Sequence, residues 1–163
     1  MTVVDTTSPA ITCGAHNNAN VDTSGNGTND ATEATSASGA AVTWSASTAT
    51  DTGDDSVAIT YSAASGSTFA IGTHTITATA TDDSGNTSTC TFNVVVVDTT
   101  NPTTITCAAA PASVEATSSA GAAVSYDAAT ATDIGDSSLA VTYSAASGST
   151  FAIGTTTVTA TAT

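Results

Sequence analysis

Thr75-Ile76-Thr77-Ala78-Thr79-Ala80-Thr81-Asp82-Asp83-Ser84-Gly85-Asn86-Thr87-Ser88-Thr89-Cys90-Thr91-Phe92-Asn93-Val94-Val95-Val96-Val97 decides the fold. Alternation puts Ile76, Ala78 and Ala80 on one face and four threonines on the other, then Cys90, Phe92, Val94 and Val96 on a shared face of the next run. Successive strand side chains point to opposite faces, so one apolar face with a period of two reads as a half-buried antiparallel strand. Between the runs, residues 82–86 carry the Asp, Ser, Gly and Asn that a tight hairpin loop requires. No stretch shows a helical period of useful length. The chain is predicted to be all-β.

The same pattern predicts strands at 11–13, near Ala34, at 41–50 and at 57–62. A loop through Ser65 and Gly66 then leads to Phe69 and Ile71, ahead of strands at 73–81 and 88–97. Short strands with turn signals at this spacing predict a Greek-key sandwich of immunoglobulin type. The expected core is Val42, Trp44, Ile59, Tyr61, Phe69, Ile71, Ile76, Phe92 and Val94, with Tyr126, Tyr143, Phe151 and Ile153 further on.

Those last residues belong to a second copy. Residues 61–73 recur without a change at 143–155, an offset of 82. The same offset carries Glu33-Ala34-Thr35 onto Glu115-Ala116-Thr117, Trp44 onto Tyr126, and Asp51 and Asp54 onto Asp133 and Asp136. Self-similarity at a fixed period is the signature of a modular array. The expected domains are 1–97, with an insertion at 16–30, and 98–163, which lacks the counterpart of its last strand. The insertion follows from spacing: Cys13 to Glu33 is 20 residues, Cys107 to Glu115 only 8. The second copy ends at Thr163, the counterpart of Thr81, and residues 97–102 echo 4–9. We therefore expect this stretch to come from a longer polymer of domains. Pro102 gives its short linker a fixed φ, so the linker should be fairly stiff.

Composition narrows the function. The chain has 163 residues, no Lys or Arg, and a formal charge of −14. A typical protein of this size would carry roughly twenty cationic side chains. Without them phosphate neutralisation fails, so nucleic acid is excluded as a partner, and anionic membranes repel the chain. Lysine-dependent isopeptide crosslinks and trypsin-like cleavage are excluded too. No apolar run approaches the ~20 residues needed to span a bilayer, so membrane insertion is not expected. Met1 is followed by Thr-Val-Val-Asp and not by a basic and then apolar segment, so any export signal is expected outside this stretch.

Several spaced motifs now agree in order: Asp-Thr-Thr-x-Pro-x-Ile-Thr-Cys at 5–13, Glu-Ala-Thr-x-x-x-Gly-Ala at 33–40, Tyr-Ser-x-x-Ser-Gly-Ser-x-Phe-x-Ile-Gly-Thr at 61–73, and Asp-x-Ser-Gly-Asn-x-Ser-x-Cys at 82–90. Over nearly all of its length the chain resembles the hyalin repeat, or HYR domain. The insertion at 16–30 and the end of the second copy depart from that pattern. The resemblance implies tandem immunoglobulin-like modules, extracellular or on the cell surface, of the kind found in large secreted bacterial adhesins. It also implies a disulfide between Cys13 and Cys90, the two cysteines near the ends of the first copy. Cys107, the counterpart of Cys13, is then expected either to lose its partner at the end of the stretch or to pair with another chain. Disulfide use implies an oxidising setting.

The acidic residues cluster. If the sandwich reading holds, the loop with Asp51, Asp54 and Asp55, the hairpin with Asp82 and Asp83, and the entering segment with Asp5 share one end of the first domain; Asp98, Asp133 and Asp136 form the matching set of the second. Close carboxylates repel unless a cation joins them, and Ca²⁺ takes several oxygen ligands from loops. Calcium held by Asp5, Asp51, Asp54 and Asp83 in the first domain and by Asp98, Asp133 and Asp136 in the second is one expectation, a solvated acidic loop end the other. His16 and His74 show no metal or catalytic spacing, and Thr156 replaces His74 in the second copy. The serines lack a base and an orienting acid, so no enzyme is expected. Asn26 and Asn86 head N-glycosylation sequons, while Thr6 and Thr99 follow aspartates as in some O-glycosylated surface proteins.

The expected function is a stalk or filament module in an adhesive array. Its partners would be neighbouring repeats of the same polymer and other copies joined through the open edge of the second repeat. Two ligand-binding alternatives compete with it: surface glycans held by the 16–30 loop, and ice on flat threonine rows. Only one regular Thr-x-Thr strand per repeat speaks for the latter.

Overall fold

A computed structural model describes residues 3–17, 19, 30–54, 56–136 and 139–163. It is all-β with antiparallel ladders, and divides into two compact units, Met1–Thr99 and Thr100–Thr163. No helix of the described residues is long and apolar enough to cross a membrane.

The first unit contains β1 (Ala10–Thr12), β2 (Thr32–Glu33), β3 (Ala40–Ala41), β4 (Thr48–Thr50), β5 (Ala58–Tyr61), β6 (Thr68–Phe69), β7 (Gly72–Thr81) and β8 (Thr87–Val97). The alternating runs that open the sequence analysis are its two long strands. They pair in unbroken register from Gly72↔Val96 to Thr81↔Thr87. Around this hairpin forms a four-stranded sheet in the order β2-β8-β7-β5, in which β2 runs parallel to β8. The other layer consists of the pairs β1-β4 and β3-β6.

The expected long strand at 41–50 is two strands. β3 pairs with β6 and β4 pairs with β1, so the chain changes partner in between. The intervening backbone finds partners in other loops and in side chains: Val42 N–H donates to the Ser67 carbonyl and Ser45 N–H to the Ala15 carbonyl (both 3.0 Å), while Trp44 N–H donates to Ser65 Oγ (3.1 Å) and Ser47 N–H to the Tyr61 hydroxyl (2.6 Å). Loop carbonyls and hydroxyls together thus replace a ladder that the turn of the chain interrupts.

The core lies between the layers. Val42, Val94 and Val96 are fully buried and Ile76 nearly so, around Trp44. The Trp44 indole touches Tyr61, Phe69 and Phe92, with ring centroids 5.9, 6.2 and 5.8 Å away, in tilted or edge-on geometry that aromatic quadrupoles favour. Ile71 does not join the core as expected, and neither does its copy Ile153; they are 44% and 74% exposed. Each precedes a glycine at positive φ, Gly72 (135°) and Gly154 (131°), so alternation does not continue through that bend. A disulfide joins Cys13, just past β1, to Cys90 in β8, with Cα atoms 5.8 Å apart.

The second unit repeats this plan with less of it in strands: β9 (Thr104–Thr106), β10 (Ala122–Ala123), β11 (Thr130–Thr132), β12 (Val141–Tyr143), β13 (Thr150–Phe151) and β14 (Ala160–Ala162). Among the described residues it has three two-stranded pairings, β9-β11, β10-β13 and β12-β14. Tyr143 repeats the role of Tyr61, its hydroxyl accepting Ala129 N–H at 2.6 Å. Gly39 and Gly121 also match. Each has positive φ (99° and 108°), and a Cβ there would lie 1.8 Å from the carbonyl oxygen of Phe69 or Phe151. Only glycine lets the turn lie this close to the neighbouring strand.

Candidate functional site, an acidic loop cluster

Three loops of the first unit bring carboxylates together. Asp5 enters ahead of β1, Asp51 follows β4, and Asp82 opens the β7–β8 turn. One oxygen from each lies within 4.8 Å of the others. Asp82 is only 5% exposed; Asp5 and Asp51 are half-buried.

Local hydrogen bonds shape each acid. Asp5 Oδ1 accepts from Thr7 N–H (2.9 Å) and the Thr7 hydroxyl (2.6 Å). The Thr7 hydroxyl and then the Thr7 amide hold the Asp5 carboxyl below its ordinary pKa, against the opposing effect of desolvation. Asp51 Oδ1 accepts from Gly53 N–H at 2.8 Å, an Asx-turn. Any side chain at position 53 would push on Asp5, since a Cβ there would come within 2.2 Å of Asp5 Oδ2. Asp82 accepts from Asn86 N–H (2.7 Å) and Asn86 Nδ2 (2.8 Å), which closes the hairpin turn. Asn86 Nδ2 also reaches the Asp5 carbonyl at 3.4 Å. One amide thereby ties the hairpin to the entering segment.

The remaining expected residues lie elsewhere. The acid that joins Asp5 and Asp51 is Asp82, where the sequence pattern pointed to Asp83. Asp83 instead donates its N–H to Asp54 Oδ2 (2.8 Å), so Asp54 caps the hairpin. Strand phase carries the missed signal: Asp82 continues the buried Ile76-Ala78-Ala80 face of β7, whereas Asp83 falls out of that phase. Asp98 belongs to the first unit, Asp133 and Asp136 to the second. Asp133 Oδ1 accepts Gly135 N–H at 2.9 Å, the same Asx-turn as Asp51, while its buried Oδ2 meets no hydrogen-bond donor among the described residues.

Asn86 is held by the loop network, so a glycan on its Nδ2 would take one of the two amide hydrogens that make its contacts to Asp82 and Asp5. Asn26 lies outside the described residues, as does most of the 16–30 insertion. Thr6 is exposed, and the Thr99 hydroxyl donates to Glu33 Oε2 at 2.8 Å. His74 Nε2 lies 2.8 Å from the Ala70 carbonyl and its ring packs on Phe69. Cys107 is a free, exposed thiol.

The sequence profile of the HYR domain matches this chain twice, over residues 4–96 and 97–163. Neither the curated proteins nor the solved structures hold a match to it.

Proposed function

The chain belongs to the HYR domain family, and on that premise we propose that it is an extracellular, non-enzymatic repeat module, acting as stalk or spacer in an adhesive surface array. The observation that carries this reading is the placement of the Cys13–Cys90 disulfide in a tandem unit. The bond closes a loop with a sequence separation of 77, nearly the whole first unit. A pull on the two ends of that unit can then lengthen only the short segments outside the bond. A stalk that must hold its length under load needs this property.

Force spectroscopy on the chain tests the idea. Reduction should release roughly 260 Å of extra contour length from the first unit, from 77 residues at about 3.4 Å each. Equal extensions before and after reduction would sink the mechanical reading. A glycan array separates the lectin alternative: strong binding that disappears when 16–30 is deleted would make the chain a recognition module.

A second proposal concerns the acidic cluster: Asp5, Asp51 and Asp82 together hold a divalent cation such as Ca²⁺. The oxygen donor set and the convergence of three loops favour it. The amides of Thr7, Gly53 and Asn86 already offset part of the charge, so the loops can also stand without the ion. Calorimetric titration with Ca²⁺ should show binding that Asp51→Asn removes. No heat in either protein would leave only solvated acids.

A further inference from the structure

The carboxylates of this chain have no Lys or Arg to pair with, so their charge falls to N–H and O–H donors. Most find them close by. Asp5 takes donors from Thr7, Asp51 from Gly53, Asp82 from Asn86 and Asp133 from Gly135, each within four residues. Glu33 reaches much further. Its Oε1 accepts Thr99 N–H and its Oε2 the Thr99 hydroxyl, both at 2.8 Å, across a sequence separation of 66. Both oxygens thus close on one residue of the segment that leaves the first unit.

Strand pairing brings the two residues together. Glu33 stands opposite Val97, the last residue of β8, and Ala34 N–H donates to the Val97 carbonyl at 2.7 Å. The β2–β8 ladder ends there, and Asp98 and Thr99 lie outside any strand. The half-buried Glu33 side chain continues the hold where the ladder stops. A single hydrogen bond would leave Thr99 free to rotate about it. Two bonds, one to the backbone and one to the side chain, fix its orientation. Threonine suits the second bond because its β-branch leaves χ1 stiff, so holding the hydroxyl holds the residue. The carboxylate makes both bonds charge-assisted, about twice as strong as neutral ones.

The second unit takes hold of the chain at Thr103, whose N–H donates to the Thr132 carbonyl at 3.1 Å. Between the two anchors stand residues 100–102. Pro102 fixes its own φ and restricts Asn101 before it. Without the Glu33 contacts the same interval would start after Val97 and run over 98–102.

We infer that Glu33 is a positioning residue for the joint between the units: it carries the first unit's hold on the chain from Val97 to Thr99 and confines bending to residues 100–102. The residue types of this clamp are repeated with the module. Glu33-Ala34-Thr35 recurs as Glu115-Ala116-Thr117, and Asp98-Thr99-Thr100 echoes Asp5-Thr6-Thr7. The clamp acts whether or not the chain bears load.

The test uses the full 163-residue chain, isotope-labelled for NMR. In Glu33→Ala the Thr99 amide should exchange roughly tenfold faster. The Ala34 amide, which donates to Val97, should not change. Thr99→Val removes the hydroxyl arm and should speed exchange by a smaller factor, whereas Thr99→Ser keeps both donors and should match the unaltered chain. Glu33→Ala combined with Thr99→Val should lose no more than Glu33→Ala alone, since the two residues act as a pair. Nuclear relaxation read separately in each unit reports on the joint itself. Glu33→Ala should shorten the rotational correlation time of both units, because a longer joint lets them tumble more independently. An unchanged Thr99 amide in Glu33→Ala would overturn the clamp, as would additive effects of the two substitutions. Equally fast exchange at Ala34 would mean that Glu33 only supports strand pairing. A loosened Thr99 with unchanged tumbling would reject the assignment of the joint to residues 100–102. Lengthening under force after reduction, which tests the stalk reading, does not depend on Glu33, so either reading can fail alone.

Discussion

Gly72-Thr73 and Gly154-Thr155 are the same two residues at the end of the same thirteen-residue stretch, 61–73 and 143–155. In the first unit they open a ten-residue strand; in the second they belong to none. Their local propensities are identical, so propensity cannot be the cause. The first pair faces Val96 and Val95 across a ladder, and the second faces an open groove. Strand formation here is a property of the pair, and β8 is the partner on which β7, β2 and the core all depend. Within residues 1–163 the same stretch is thus seen once with that partner and once without it.

The comparison can be broken most forcefully at the disulfide. Replacing Cys13 and Cys90 with serine should cost the first unit about 4 kcal/mol, the loop entropy expected for a closed loop of this length. The second unit has no such crosslink among the described residues, and its unfolding should not move. Denaturant melts followed by amide exchange in each unit separate the two. Loss of stability in both, or in neither, would contradict this expectation.

A smaller difference is expected at the core. Ile76→Ala empties a site that is 1% exposed and should cost about 3 kcal/mol. Val158→Ala acts at the matching position on a half-buried side chain beside the groove and should cost below about 1 kcal/mol. Equal costs would mean that Val158 is packed as closely as Ile76.

Much of this was legible in the residues, for identifiable reasons. Alternation at 75–97 revealed the β7–β8 hairpin because one face of each strand is buried and the other is wet. The 82-residue repeat exposed the tandem plan. What stayed hidden depended on partners distant in sequence. Residues 41–50 alternate as one strand, but the chain leaves β6 for β1 midway, and the hydroxyls of Ser65 and Tyr61 that bridge the gap give no periodic signal. Ile71 and Ile153 looked like core from their neighbours, yet the glycine after each turns the chain. In the acidic cluster the acid beside Asp5 and Asp51 is Asp82 and not Asp83, because the phase of β7 continues one residue past the strand.

The smallest expected effect lies in that cluster, and its sign follows from Asp5. Hydrogen bonds from Thr7 favour the charged carboxylate, so its pKa in the folded unit is below the ordinary 3.8. A carboxyl depressed by folding contributes stability above its unfolded pKa and loses it as pH falls through the lower, folded value. The contribution should therefore be complete above pH 3.8 and fade below it. Asp51 and Asp82 face the same point, so Asp5 is best followed by a residue-specific probe. Carboxyl carbon shifts in NMR resolve them, and Asp5 should titrate below 3.8. Thr7→Ala removes the leading donor while leaving the Thr7 amide contact, so Asp5 should move back toward its ordinary value without reaching it. An Asp5 midpoint unchanged by Thr7→Ala would mean that the cluster as a whole, and not the Thr7 hydroxyl, sets its charge.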